Sequence, residues 1–154
     1  MGRHQNMNNN NNISTLVFVD ANVADYQTLV SSVQPGTEVV VLNSSSNGIE
    51  QITEVLGNYT NLDSVQILSH GDSASLQLGS EILSQENVES YGSQLQQWGE
   101  ALGSDGDILL YGCNVADSQA GQSFINRLSE ITQADIAASN GTIHVIDRVL
   151  IPNR

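Results

Sequence analysis

The chain has 154 residues, 39% of them hydrophobic, which fits one domain with a substantial core and excludes a disordered polymer. Its net charge of −13 sets 17 acidic residues against only 4 basic ones, Arg3, Arg127, Arg148 and Arg154. Such a surface repels phosphate backbones, so no nucleic acid is expected as a partner, and no apolar run approaches the ~20 residues of a membrane span, so no membrane insertion is expected.

Residues 1–13 contain an asparagine run and read as a disordered leader with no apolar core for a signal peptide. Short apolar runs then alternate with amphipathic stretches, the pattern of βαβ units around a mainly parallel sheet. The expected fold class is α/β, with helices on both faces, because the strands are apolar throughout rather than alternating. The first strand is Leu16-Val17-Phe18-Val19, ending at Asp20. A helix is predicted over 23–33, with Tyr26, Leu29, Val30 and Val33 on one face, and Pro35-Gly36 turns the chain.

The second strand is Val39-Val40-Val41-Leu42. The polar loop 43–47 offers serines to cap a helix over 49–56. The third strand, Val65-Gln66-Ile67-Leu68, runs into Ser69-His70-Gly71. Alternation at Ser75-Leu76-Gln77-Leu78 predicts a short hairpin or edge strand, and a helix is predicted over 85–102. The fourth strand, Asp107-Ile108-Leu109-Leu110-Tyr111, runs into Gly112-Cys113-Asn114. A helix over 120–131 and short strands at 136–137 and 143–146 complete the pattern.

Two of these strands end in a reactive residue. If they are parallel neighbours, His70 and Cys113 share the carboxyl edge of the sheet, where open α/β sheets bind ligands. A thiol with an ordinary pKa of about 8.5 is a modest nucleophile at neutral pH, and a nearby imidazole takes its proton and later protonates a leaving amine. The backbone N–H groups of Gly71 and Cys113, each just beyond a strand end, are candidate donors for an oxyanion. Taken alone, Cys113 also reads as core filler and His70 as a turn residue. Cys113 is the only cysteine, which excludes an intrachain disulfide and a multi-cysteine zinc site. His4 lies in the leader, and His144, between Ile143 and Val145, reads as structural. Asp20, Asp72 and Asp117 flank the strand ends; they read as solvated carboxylates or as an acidic mouth suited to a basic substrate residue. No metal is expected, since no EF-hand spacing occurs, and no cofactor.

The segments Leu-Ser-His-Gly at 68–71 and Leu-Leu-Tyr-Gly-Cys-Asn at 109–114 resemble the His-Gly and Cys motifs of clan CD cysteine peptidases, the group of caspases, gingipains, legumain and separase. More closely, residues 16–139 are similar to the bacterial domain-of-unknown-function family numbered 4347. The similarity rests on Val17-Phe18-Val19-Asp20, Asp25-Tyr26-Gln27-Thr28-Leu29, Leu76-Gln77-Leu78-Gly79 and Ala134-Asp135-Ile136-Ala137-Ala138-Ser139. The resemblance implies a caspase-like sheet, with Cys113 as nucleophile and His70 as general base and acid. It implies a protein or peptide substrate and an extracellular or cell-surface setting, since that family sits in very large exported or surface proteins.

Residues 140–154 depart from that family. Asn140-Gly141-Thr142-Ile143-His144-Val145-Ile146-Asp147-Arg148-Val149-Leu150-Ile151-Pro152 resembles the closing strand of fasciclin domains, extracellular adhesion modules. The expected organisation is therefore a leader at 1–13, a caspase-like domain at 14–139 and a fasciclin-like segment at 140–154. Two functions follow from these resemblances: a cysteine endopeptidase domain, or a non-catalytic adhesion or protein-binding module on the same scaffold.

Overall fold

The computed structural model describes residues 13–21, 36–69, 71–72, 74–111, 115, 118–139 and 146–149. Its main sheet has six strands: β1 (Thr15–Asp20), β2 (Thr37–Leu42), β3 (Leu62–Leu68), β7 (Leu102–Tyr111), β8 (Asp135–Ser139) and β9 (Ile146–Val149). The spatial order is β2-β1-β3-β7-β8-β9. The pairings from β2 to β8 are all parallel, and β9 joins β8 antiparallel. The mainly parallel α/β sheet read from the apolar runs is the sheet observed. From β1 the chain steps to β2 on one side, then returns to β3 on the other side of β1. The order therefore reverses between β1 and β3, at the position where open α/β sheets leave a crevice beyond their carboxyl ends.

Three α-helices are described: α1 (Gly48–Leu56), α2 (Gly92–Glu100) and α3 (Gln119–Thr132). They touch in series, α1 on α2 and α2 on α3, and so form one layer. Beneath them lies the main core, where Leu16 and Phe18 of β1, Val65 and Ile67 of β3, and Ile108 and Leu110 of β7 meet Ile52, Trp98 and Phe124 of the helices. The alternate residues Val17, Val19 and Leu68 are also buried, in a second cluster with Val39 and Tyr111. Burial on both faces explains why these strands read as unbroken apolar runs. The helix predicted over 23–33 lies outside the described residues.

Local chemistry sets the helix ends. The cap of α1 is Asn47 rather than one of the preceding serines: its side chain accepts from the N–H groups of Ile49 and Glu50. Asn47 directly precedes the first helical residue, whereas Ser45 is turned to Asn43. Ser118 caps α3 through the N–H of Gly121. The helix predicted over 85–102 is shorter than its apolar pattern. Strand β6 (Glu81–Ser84), an Asn87-centred turn and a 3-10 turn (Val88–Tyr91) come first, and Leu102 already belongs to β7. The Asn87 side chain accepts from Ser84 N–H and donates to the Ile82 carbonyl, which holds that turn.

The predicted hairpin at 75–78 is the middle of a second, three-stranded antiparallel sheet, β4 (Gly71–Asp72), β5 (Ser75–Leu78) and β6. Leu76, Leu78 and Leu83 anchor it in the main core. Gly79 follows with φ +62°, and its backbone pairs with Asn47. A side chain there would strike the backbone of residues 43–48, so only glycine fits the end of the Leu76-Gln77-Leu78-Gly79 motif.

Candidate active site at the carboxyl edge of the sheet

Strands β3 and β7 are parallel neighbours, in register from Ser64↔Asp107 to Leu68↔Tyr111. Both therefore end at the same level of the same edge. Beyond them, two backbone hydrogen bonds join the loops that follow. Ser69 N–H donates to the Tyr111 carbonyl at 3.2 Å, and Ala74 N–H donates to the Val115 carbonyl at 3.1 Å. Ala74 adopts φ 62°, an uncommon conformation for a residue with a side chain, at the turn between β4 and β5. Val115 is buried in the main core, which fixes the far end of the second loop.

His70 and Cys113 themselves lie outside the described residues, as does Asp117. His70 belongs to the loop tied at Ser69 and Ala74, and Cys113 to the loop tied at Tyr111 and Val115. Gly71, the other candidate oxyanion donor, opens β4 opposite Leu76, and Asp72 follows it opposite Ser75. Asp20 ends β1 and is 0% exposed, so its carboxylate faces the interior rather than the mouth of the edge. Val19 registers with Leu68, so Asp20 stands beside the level of Ser69, itself only 1% exposed. Two polar residues are thus buried together at the β1–β3 reversal.

The two loop ties carry no sequence signal, being bonds between backbone groups. The alternation at residues 75–78 was the one available sign that the segment after His70 folds back as a hairpin. Among the described residues, no group of three or more histidine, cysteine, aspartate or glutamate side chains is gathered to hold a metal ion. No described helix is long and apolar enough to cross a membrane.

Marked charge pairing lies away from this edge. Arg127 on α3 bridges Glu89 of the 3-10 turn and Glu130 of its own helix. The Arg127 hydrogen bond holds the Glu89 carboxyl below the ordinary carboxylate range, against a smaller opposing effect of burial. Burial, assisted by the negative charge of Glu38, pushes the Tyr59 hydroxyl up.

No curated protein matches the chain. Two solved structures described as SPT with PLP, each a single-substitution variant, align with 94% of this chain at 13% identity and a TM-score of 0.44. The chain spans 35% of their length. Residues 16–144 match the family described as Domain of unknown function (DUF4347), and the chain belongs to that family.

Proposed function

We propose that this chain is a cysteine endopeptidase domain of caspase-like type, with Cys113 as nucleophile and His70 as general base and acid, acting in the processing of exported or surface proteins. The observation that carries this reading is the Leu68↔Tyr111 register. His70 and Cys113 each stand two residues beyond that pair, and neighbouring strands lie about 4.8 Å apart. Equal, short lengths of chain therefore lead from one registered pair to both reactive residues. The ties at Ser69–Tyr111 and Ala74–Val115 support the reading, because they keep the two loops from diverging.

In this mechanism His70 takes the Cys113 thiol proton, and the thiolate attacks the scissile carbonyl carbon. The N–H groups of Gly71 and Cys113 hold the oxyanion. His70 then protonates the departing amine, and water hydrolyses the thioester. Incubation with a peptide library tests this proposal. Cleavage by the wild type that is abolished in Cys113→Ala and nearly abolished in His70→Ala supports it. Cleavage undiminished in Cys113→Ala would remove the thiol from the chemistry.

A second reading keeps the scaffold and drops the chemistry: a cell-surface adhesion or protein-binding module. The observation favouring it is that β9, from the segment resembling a fasciclin closing strand, is built into the sheet beside β8. Binding to a surface protein that survives Cys113→Ala and is lost on removing residues 141–154 would support it.

A further inference from the structure

Strand β2 forms one edge of the main sheet. Its ladder with β1 runs from Thr15↔Thr37 to Asp20↔Leu42 without a bulge. Thr15 N–H donates to the Gly36 carbonyl, and Ala21 N–H donates to the Leu42 carbonyl. A parallel ladder alternates, so the backbone groups of Glu38, Val40 and Leu42 turn to β1, and those of Thr37, Val39 and Val41 turn outward. The next outward groups, the N–H and carbonyl of Asn43, are taken by the side-chain amide of Gln51. In the second sheet, the side-chain amide of Asn87 likewise takes up Ser84 N–H and the Ile82 carbonyl of β6. Among the described residues, no such amide closes the outward edge at Thr37, Val39 and Val41. The strand Thr37–Leu42 holds no lysine, proline or bulge that would blunt it, and so it is a template for a further strand.

The side chains of this edge determine what fits it. Val39 and Val41 lie on the face away from the helical layer, Val39 packed against the cluster of Val17, Val19 and Leu68, and Val41 42% exposed. Glu38, in register with Leu16, lies on the helical side, exposed and with no basic partner among the described residues. A second copy is a poor occupant. It would bring another net charge of −13, and a pair of six-residue strands, about 20 Å long, covers far less than the roughly 1,200 Å² of a stable interface. We infer that the β2 edge binds an extended segment of another protein by strand addition, with apolar residues beside Val39 and Val41 and a lysine or arginine beside Glu38. Backbone hydrogen bonds supply the affinity, and the alternating side chains supply the selectivity. This goes beyond the peptidase reading and requires neither His70 nor Cys113. It is also separate from the adhesion reading, whose strand β9 is the opposite edge of the sheet.

The test is fluorescence anisotropy with a labelled peptide Val-Thr-Val-Lys-Thr, whose lysine falls opposite Glu38 when the strand adds antiparallel. It should bind the wild type with a Kd below about 1 mM. Glutamate in place of the lysine should weaken binding about fivefold, and Glu38→Lys should reverse that order. Val39→Pro removes an outward N–H at an edge position, where proline is tolerated, and should weaken binding about tenfold. Val41→Lys, at an exposed site, leaves the ladder to β1 intact and should also weaken binding. Urea denaturation checks that each variant folds. No binding of the lysine peptide at about 1 mM, or binding that survives both Val39→Pro and Val41→Lys, would overturn the inference. Equal binding of the lysine and glutamate peptides would overturn the assigned partner chemistry. Sedimentation equilibrium that shows a dimer dissociated by Val41→Lys would overturn the inference too, because the edge would then belong to a second copy.

Discussion

Helix α2 ends against helix α3 at Gly99, and a single methyl group there tests the helical layer. A Cβ on Gly99 would stand 2.9 Å from the carbonyl carbon of Thr132 and closer still to its oxygen, both backbone atoms that cannot rotate away. In an open helix Gly→Ala stabilises by up to about 1 kcal/mol. Forcing an extra carbon into a filled site costs about 1–3 kcal/mol, and a backbone obstacle places this case at the upper end. Gly99→Ala should therefore destabilise by about 2 kcal/mol net of the propensity gain, a fall in Tm of roughly 4–8 °C for a chain of this size. Gly92, at the start of the same helix, has nothing within 4 Å of its added Cβ and is the control. Gly92→Ala should be neutral or stabilising. Urea denaturation followed by Trp98 fluorescence reads both variants. Equal stabilisation of the two would refute the close approach of α2 to α3.

The indole N–H of Trp98 donates to Thr53 Oγ1 at 2.8 Å, joining α2 to α1. Thr53→Val keeps the shape and leaves that buried donor unmatched, so a loss of about 1–3 kcal/mol in urea denaturation is expected, and no loss would show the bond to be idle. The Glu89 carboxyl has its pKa lowered in the folded chain by Arg127. A lowered folded pKa contributes stability above the unfolded value, and that contribution disappears as pH falls through the folded value. The stability difference between wild type and Arg127→Ala should therefore shrink on acidification, and a difference that grows would contradict the pairing.

The central strands were legible because β1 is buried on both faces, and β3 and the end of β7 are buried on one face and mostly half-buried on the other, so that they read largely as apolar runs. The first half of β7 was not legible. Gly103, Ser104, Asp105 and Gly106 look like a turn, yet they continue the strand through an irregular stretch between the Leu62↔Leu102 and Ser64↔Asp107 pairs. Strand β6 precedes the helix predicted over 85–102 and has no assignment in the sequence pattern, whereas the 3-10 turn Val88–Tyr91 falls within that predicted helix because Val88, buried in the core, extends its apolar pattern. At the candidate site, the sequence shows His70 and Cys113 each just past a strand and beside a glycine. It does not show that the two strands stand in register, since register follows from backbone pairing. Nor does it show that Asp20 is buried, because an aspartate at a strand end ordinarily meets water. The registered edge and the buried Asp20 are the features that the fold adds to the motifs.

The central claim is that this shared edge makes Cys113 and His70 one chemical unit. The most direct test is the rate of Cys113 alkylation at neutral pH in the wild type, in His70→Ala and in a cysteine-containing model peptide. The account expects the wild type to react faster than the peptide and His70→Ala to slow toward it. A thiol that is unreactive in the native fold, or that reacts at the same rate with and without His70, would contradict it.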